Sequence, residues 1–382
     1  MLKRIISVLI LFSCALQVFA RPDEGKIWEI GSSDHSPKEF AMAPDGFRDF
    51  LKNDFGFEDK YFIVGHSDIK RDFPYVLAGP ADTWGGTWPT SGWRTHEINI
   101  LFDMVEMDAD SQYKLKLNLL DYSKIFLPLV KVHVNDFDTK IQIETAEYPR
   151  EGQVKPHLMQ PIVDTASLSG DYSGVTPYEI EIPVEGRYLH KGGNHIKISI
   201  LEGSWMLFDN IVFYGKGEIK KNFKENVFVR NVEAAPYQIR DGKKVCQPLI
   251  VDVEHLGGRP ELVVKLDGKR IFKEYVEQGR YQYEVPMPKV KRERSSRYEV
   301  YADGALVASG KVVRRPQPMQ TLADYVDTRI GTAHSRWMIA PGPWMPFSMV
   351  KMSPDNQMSG WQSGYQPSIE NLGCFSHIHE WT

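Results

Sequence analysis

Seven short runs between residues 96 and 215 alternate apolar and polar residues with a period of two. That period belongs to a β-strand with one face in a core, whereas an amphipathic helix repeats about every 3.6 residues. The runs are HEINILFDM (96–104), YKLKLNLLDY (113–122), PLVKVHVNDF (128–137), TKIQIET (139–145), YEIEIPV (178–184), NHIKISILEG (194–203) and WMLFDNIVFYG (205–215). Turn-forming residues separate them, so the sequence predicts an antiparallel sandwich or jelly roll.

A second alternating series fills residues 220–315 in about seven short runs. Asp-Gly pairs at 267–268 and 303–304 lie between runs, and this dipeptide is a strong signal for a two-residue hairpin loop. The spacing predicts an immunoglobulin-like sandwich, and we interpret it as a spacer. The segment RPQPMQ (315–320) is typical of a linker. We therefore expect an all-β chain with domains at 21–217 and 218–315, a linker at 316–321 and a third segment at 322–382.

The amino terminus has the pattern of a secretory signal peptide. Lys3 and Arg4 precede an apolar run that is too short to span a membrane, and the residues before position 21 fit a cleavage site after Ala20. The sequence predicts an exported protein in the periplasm, on the cell surface or outside the cell. A lipid anchor at Cys14 is the less favoured alternative. Removal of the signal leaves only Cys246 and Cys374, so we expect no disulfide framework.

The net charge of −4 gives no support to nucleic-acid binding. The loop GPADTWGGTWPTSGW contains Trp84, Trp88 and Trp93 among Gly, Pro and Thr. Flat rings in a loop are typical of sugar-binding surfaces, because the apolar face of a sugar packs well on an aromatic ring. Alternatively, the three rings fold back as a small core that pins the loop.

Three stretches of the first domain resemble a known family. IWEIGSSDHSPKEF near the start, the Trp-rich loop, and LFDNIVFYG at the end resemble the carbohydrate-binding jelly-roll domain of rhamnogalacturonan lyases, polysaccharide lyase family 4. The resemblance implies a galactose-binding-like jelly roll with sugar contacts on loops or on a sheet face. It does not imply lyase activity, because that family's catalytic domain is separate. A lyase built on His66, His96 or Tyr113 stays an alternative, although no spacing singles out these residues.

Four blocks near the carboxyl terminus resemble the start of glycoside hydrolase family 92, the exo-acting α-mannosidases. They are YVDTRIGT (325–332), PGPWMPFSMVKMSPDN (341–356), GWQSGY (360–365) and GCFSHIHEWT (373–382). Ser348 stands where the family usually has Gly, and Cys374 is interposed before Phe375. The resemblance implies the truncated start of a β-sandwich that packs on a helical barrel.

The family resemblance also implies a site and a cofactor. The family inverts the anomeric centre with two carboxyl groups from the barrel, and it binds calcium. We expect neither a catalytic pair nor a fully ligated calcium in these 382 residues, so we predict that this chain alone is inactive. By resemblance, Trp361 stacks on the sugar, and His377 and His379 donate hydrogen bonds to it. The alternative is that both histidines are structural.

Together these patterns predict an exported glycan-processing protein. We expect the N-terminal fragment of an α-mannosidase-like enzyme with a carbohydrate-binding module, acting on a mannose-containing glycan or on a plant or host polysaccharide. One alternative is a non-catalytic carbohydrate-binding protein, and a second is a polysaccharide lyase-related protein. The sequence does not indicate the linkage or the sugar.

Overall fold

A computed structural model describes most of the two predicted domains and short parts of the third segment. The described residues are 25–53, 55, 61–79, 82, 84, 97–144, 166–242, 244–319, 321–327, 330, 352–355 and 372–376. Within these ranges, no helix is long and apolar enough to cross a membrane.

The first domain is a sandwich of two sheets. Its strands are β1 (Lys26–Gly31), β2 (Tyr61–Ile63), β3 (Val76–Leu77), β4 (Glu97–Met107), β5 (Gln112–Tyr122), β6 (Leu129–Val134), β7 (Phe137–Gln142), β8 (Tyr178–Glu185), β9 (Gly192–Glu202), β10 (Met206–Tyr214) and β11 (Gly217–Ile219). Sheet 1 has the order β1-β10-β5-β8, with β3 also on β10, and sheet 2 has the order β11-β4-β9-β6-β7, with β2 parallel to β4. Each of the seven predicted runs corresponds to one strand from β4 to β10, which confirms the all-β prediction.

Aromatic rings from both sheets fill the core of the first domain. Trp28 of β1 stacks on Phe213 of β10 with ring centroids 5.5 Å apart, and Tyr113 of β5 stacks on the same Phe213 at 5.8 Å. Phe102 of β4 reaches across from sheet 2 and lies 5.5 Å from Trp28. These side chains occupy alternate positions of their strands, so the period of two places them on the inner faces.

The segment between β1 and β4 has no strong sequence period, and it folds into short elements. It contains 3₁₀ turns at Gly46–Asp49 and Leu51–Asn53 and a single helical turn, α1, at Ile69–Asp72. The carboxylate of Asp68 accepts a hydrogen bond from the backbone N–H of Arg71 and caps this turn. A further 3₁₀ turn, Gly186–Tyr188, joins β8 to β9.

The second domain is also a sandwich. Its strands are β12 (Val227–Ala234), β13 (Ile239–Asp241), β14 (Lys244–Cys246), β15 (Pro248–His255), β16 (Glu261–Leu266), β17 (Lys269–Tyr275), β18 (Arg280–Pro286), β19 (Arg294–Ala302) and β20 (Ala305–Arg314). One sheet has the order β12-β15-β18, the other has the order β17-β16-β19-β20, and β13 pairs with β14. Asp267 and Asp303 both have φ of 48°, and each is followed by a glycine with positive φ, which confirms the two predicted Asp-Gly hairpins.

A small apolar cluster joins the two domains. We call it the interdomain cluster, and its buried members are Ile63, Leu101, Phe223 and Phe228. Tyr61 and Leu256 pack on its edge. Leu101 lies on the outer face of sheet 2, so the second domain covers part of that face.

The linker and the third segment contain only short described elements. The backbone N–H of Gln238 donates to the carbonyl of Pro318 at 2.6 Å, so the linker contacts the second domain. A 3₁₀ turn follows at Leu322–Tyr325, with a capping box between Thr321 and Asp324. Strands β21 (Ser353–Asp355) and β22 (Cys374–Ser376) pair antiparallel.

Candidate functional site

Polar side chains cover the outer face of sheet 2 beside the interdomain cluster. On β4, β6 and β9 they alternate with core residues, so the strand period directs them away from the core. We call this surface the polar face, and its members are Glu97, Asn99, Lys131, His133, Asp138, His195, Lys197 and Ser199. Glu97 and Asn99 are only 5% and 2% exposed, which is unusual for polar residues.

A chain of hydrogen bonds links three of these side chains. A ring nitrogen of His195, Nε2, lies 2.8 Å from Oδ1 of Asn99. The amide nitrogen of Asn99 donates to Oε1 of Glu97 at 3.2 Å, and Nζ of Lys197 lies 3.5 Å from Oε2 of the same carboxylate. Because a carboxylate only accepts hydrogen bonds, the amide of Asn99 must turn its nitrogen to Glu97 and its oxygen to His195. The network therefore assigns the proton of His195 to Nε2.

His195 is held in its neutral form. Burial is the largest cause that lowers the pKa of His195, and together with the neighbouring His133, Lys197, Arg230 and Arg280 it brings the pKa to about 3. Neutral imidazole donates through Nε2 and leaves Nδ1 as an acceptor.

The second histidine belongs to a more exposed group. Nδ1 of His133 lies 2.6 Å from Oδ1 of Asp138, and Nζ of Lys131 lies 3.4 Å from Oδ2 of that carboxylate. Burial alone would raise the pKa of Asp138, but its hydrogen bond with His133 and the charge of Lys131 hold the pKa below its usual value. The side chain of Asp138 is 53% exposed, so this group can be reached from solvent.

Two arginines of the second domain border the polar face. The guanidinium carbon of Arg280 lies 4.0 Å from the ring centroid of Tyr61, and that of Arg230 lies 5.8 Å from it. Nε of Arg280 donates to Glu254 at 3.3 Å, which holds the guanidinium over the ring. The ring of Tyr61 lies 5.4 Å from that of His195. The two domains thus meet at the border of the site.

The chemistry of the polar face suits binding. It combines carboxylate acceptors, ammonium and amide donors, and two imidazoles, a mixture that matches ligands rich in hydroxyl groups. The described side-chain partners of the two imidazoles are Asp138 for His133 and Asn99 for His195.

Trp84 is the one predicted binding tryptophan among the described residues. Its ring is partly buried against the core and makes edge contacts with Phe47 at 5.2 Å and Phe50 at 5.7 Å. Trp88 and Trp93 lie outside the described residues. The sugar-binding role of the three rings stays a prediction.

Trp361, His377 and His379 also lie outside the described residues, and their roles stay predictions. The structure does bring two of the four resembling blocks together, because β21 of the Ser-Pro-Asp block pairs with β22 of the last block. Ser353 lies opposite Ser376, directly before His377 in the sequence.

Two of the three residues of the lyase alternative, Tyr113 and His66, lie among the described residues. Tyr113 is buried, and its hydroxyl donates to the carbonyl of Lys216 at 2.7 Å and accepts from the N–H of Asp108 at 2.8 Å. A buried hydroxyl that already donates and accepts hydrogen bonds within the protein cannot serve as a base for a substrate in solvent. His66 is exposed, and His96 lies outside the described residues. Tyr113 is therefore excluded as a base.

The described ranges hold no group of three or more His, Cys, Asp or Glu side chains that could bind a metal ion. A calcium ion needs six to eight oxygen ligands, and the calcium of the family form stays a prediction. Most of the third segment, where the family resemblance lies, is outside the described residues.

The sequence interpretation missed the polar face. Glu97, Asn99 and His195 occupy polar positions of alternating strands, which are typical of a solvated sheet face. A signal did exist, because histidine, asparagine and carboxylate residues recur at outward positions of three predicted strands. Strand order decides whether such positions become neighbours, and alternation does not reveal strand order.

The fold defines an all-β protein, and two family models match carbohydrate-related domains in it. Residues 26–213 match the family model for CBM-like polysaccharide lyase family 4, domain III. Residues 325–382 match the model for the glycosyl hydrolase family 92 N-terminal domain. Both resemblances found in the sequence, and their order along the chain, are confirmed.

Parts of this chain are similar to parts of solved structures. A GH2 beta-galacturonidase from Eisenbergiella tayi is 7% identical, with 58% of this chain and 36% of that chain covered and a TM-score of 0.19. The Amycolatopsis orientalis exo-chitosanase CsxA is 11% identical, with 77% and 33% covered and a TM-score of 0.20. The fibronectin(III)-like modules of Clostridium thermocellum CbhA are 14% identical, with 24% and 100% covered and a TM-score of 0.14. These TM-scores are too low to carry an argument. No curated protein matches the chain.

This chain spans about a third of the length of the two enzymes.

Proposed function

We propose that this chain is the exported N-terminal part of an α-mannosidase-like glycoside hydrolase with an attached carbohydrate-binding module. The observation that supports it is the order of two carbohydrate-related segments, the CBM-like match at 26–213 and the family 92 match at 325–382. A binding module in front of a hydrolase raises the local concentration of glycan at the catalytic domain.

In this proposal the first domain binds glycan at the exposed part of the polar face. His133 and Asp138 are accessible there, with side-chain exposures of 30% and 53%. Behind them, the network around Asn99 fixes His195 and Lys197 in place. A preorganised set of donors and acceptors loses little conformational entropy when a sugar binds.

The hydrolytic part of the proposal concerns the full-length enzyme. The catalytic acid and base, and the calcium of the family form, would come from a helical barrel outside residues 1–382, with Trp361, His377 and His379 on the sandwich side of the cleft. This chain alone would bind glycan without hydrolysing it. Mannose specificity, export and the signal peptide belong to the same proposal.

The test of binding uses the chain from residue 21 to 382 in affinity electrophoresis through gels that contain mannan or a galacturonan. We expect at least one polysaccharide to retard the protein, and His133→Ala to weaken the retardation by up to about tenfold, the effect of removing one hydrogen bond to a sugar hydroxyl. His255→Ala is the matched control, because His255 belongs to the second domain and contacts the carbonyl of Gly258. Equal migration in every gel would contradict the binding proposal.

The test of hydrolysis compares this chain with the protein extended through its complete family 92 domain. We expect calcium-dependent release of mannose from α-mannosides by the extended protein alone. Retardation by a polysaccharide without any mannose release from the extended protein would leave a carbohydrate-binding protein and refute the mannosidase assignment.

A further inference from the structure

A cleft of about 760 Å³ lies between the two domains, apart from the polar face. One wall is formed by β4 and the start of β9, and the other by β12 and β20 of the second domain. On β4, Asn99, Leu101 and Asp103 point to the same side of the sheet. Asn99 belongs to the polar face, Leu101 is covered by the interdomain cluster, and Asp103 lines the cleft. The cluster therefore separates two surfaces.

Asp103 has an unusual environment for a carboxylate. It is partly buried, and burial raises its pKa above the ordinary value, while the charge of Lys220 lowers it. Within the described part of the chain, its carboxylate accepts no hydrogen bond. Three other buried carboxylates of this domain do: Asp82 accepts from Ser204, Asp121 from Ser167, and Asp209 from the N–H of Ser36.

The strand register explains why Asp103 faces an open space. Its cross-strand neighbour on β9 is Gly193, which has no side chain to cover the carboxylate. Any larger residue there would collide with the second domain, because a Cβ on Gly193 would lie 2.4 Å from the carbonyl oxygen of Val229. The same glycine thus lets the domains approach and leaves room beside Asp103.

Several other polar side chains that line the cleft also lack a protein partner within the described structure. Six lining side chains make no hydrogen bond or ion pair within the described structure: Asp103, His190, Lys191, Asn231, Tyr298 and Ser309. They come from both domains. The hydroxyl of Tyr298 lies above Gly310, its partner across the strand pair, and burial raises the pKa of Tyr298. Asp103 and Tyr298 are partly buried, and a buried polar group without a partner costs stability, whereas His190, Lys191, Asn231 and Ser309 are exposed at the rim of the cleft. Polar groups that converge on a concave surface are typical of a binding site.

The charges and group types indicate the ligand class. Among the six, Asp103 opposes Lys191 across the lining, and the two other lining cations are paired with carboxylates outside it, Lys220 with Glu225 and Arg230 with Asp252 and Glu254. The lining therefore has little unpaired charge to attract a phosphate or a polyanion. The other four groups are an imidazole, an amide, a phenol and a hydroxyl. Each hydroxyl of a sugar both donates and accepts, so it can pair with any of them.

We propose that the interdomain cleft binds a neutral oligosaccharide, held by Asp103 and the uncommitted groups of both domains. This inference rests on the proposed glycan binding and goes beyond it, because it assigns a second site, distinct from the polar face, that needs both domains. The carboxylate of Asp103 accepts hydrogen bonds from two sugar hydroxyls, and Asn231 and Lys191 hold the sugar from the two sides of the cleft.

The test measures binding of neutral mannotriose and acidic trigalacturonate to the chain from residue 21 to 382 by isothermal titration calorimetry. We expect mannotriose to bind, and Asp103→Asn and Asn231→Ala each to weaken it about tenfold or more. Lys289→Ala, an exposed lysine outside the cleft, is the matched control. Asp103→Asn should not lower the melting temperature, because it removes a desolvated charge, so lost binding would not reflect misfolding.

Each other outcome identifies what fails. Mannotriose binding that survives both cleft substitutions but is weakened by His133→Ala would refute the cleft and retain the proposed function. Binding of trigalacturonate alone would overturn the ligand class. Binding of neither probe, with no retardation by any polysaccharide, would refute the proposed function and this inference with it.

Discussion

Phe228→Ala should separate the unfolding of the two domains. Phe228 is 1% exposed and belongs to the interdomain cluster. Its neighbours Val227 and Val229 point the other way, into the core of the second domain. The substitution therefore removes a ring from the contact between the domains and leaves that core intact.

The expected size follows from the ring that is lost. Truncation of a buried Phe to Ala costs about 3–5 kcal/mol, which includes the cavity left behind. The contact between Arg280 and Tyr61 remains, but a cation–π pair contributes only about 0.5–2 kcal/mol. For a domain of this size, about 1 kcal/mol changes the melting temperature by about 4–8 °C. The second domain should thus melt at least about 10 °C lower.

Differential scanning calorimetry of the full chain is the assay. We expect the wild-type domains to melt together and the variant to show an earlier transition for the second domain. Tyr275→Ala is the control, because Tyr275 is an exposed aromatic residue of the second domain and its loss should change stability by less than about 0.5 kcal/mol. A single transition at the wild-type temperature in Phe228→Ala would refute the conclusion that the cluster couples the domains.

Two further predictions concern the same region. The folded pKa of His195 is about 3, against about 6.5 when unfolded, so its contribution to stability is complete above pH about 6.5 and is lost as the pH falls towards 3. His195→Gln should therefore reduce the fall of the urea unfolding midpoint as the pH drops from about 6.5 to about 3. An unchanged dependence of the midpoint on pH would contradict the low pKa of His195. Gly193→Ala places a Cβ 2.4 Å from the backbone of Val229, so calorimetry should show weaker coupling of the domains. Gly174→Ala is the comparison, because a Cβ there meets open space.

The strand framework could be predicted because its signals are local. The seven alternating runs became β4 to β10, and the turns at Asp267 and Asp303 adopt the positive φ that their Asp-Gly pairs predict. The site could not be predicted in this way. Glu97 and Asn99 occupy positions that alternation assigns to solvent, yet they are 5% and 2% exposed. Their burial depends on the tertiary surroundings of the strand, for which one sequence has no local signal.

Domain docking was missed for a related reason. Alternation places Leu101 and Phe228 outside the cores of their own domains, and a period of two does not distinguish a neighbouring domain from water. An apolar residue at such a position is common on protein surfaces. Only the structure shows that these two side chains meet, and that an uncovered Asp103 lies beside them.

The contacts between the two domains matter for the interpretation of the second domain as a spacer. A spacer needs only length, and its sides can be polar throughout. This domain instead buries Phe228 against the first domain, holds Arg280 over Tyr61, and accepts the linker through the bond between Gln238 and Pro318. These contacts fix the first domain relative to the start of the third segment. We therefore expect a glycan bound by the first domain to be presented at a constant distance from the family 92 segment, which a flexible tether would not achieve.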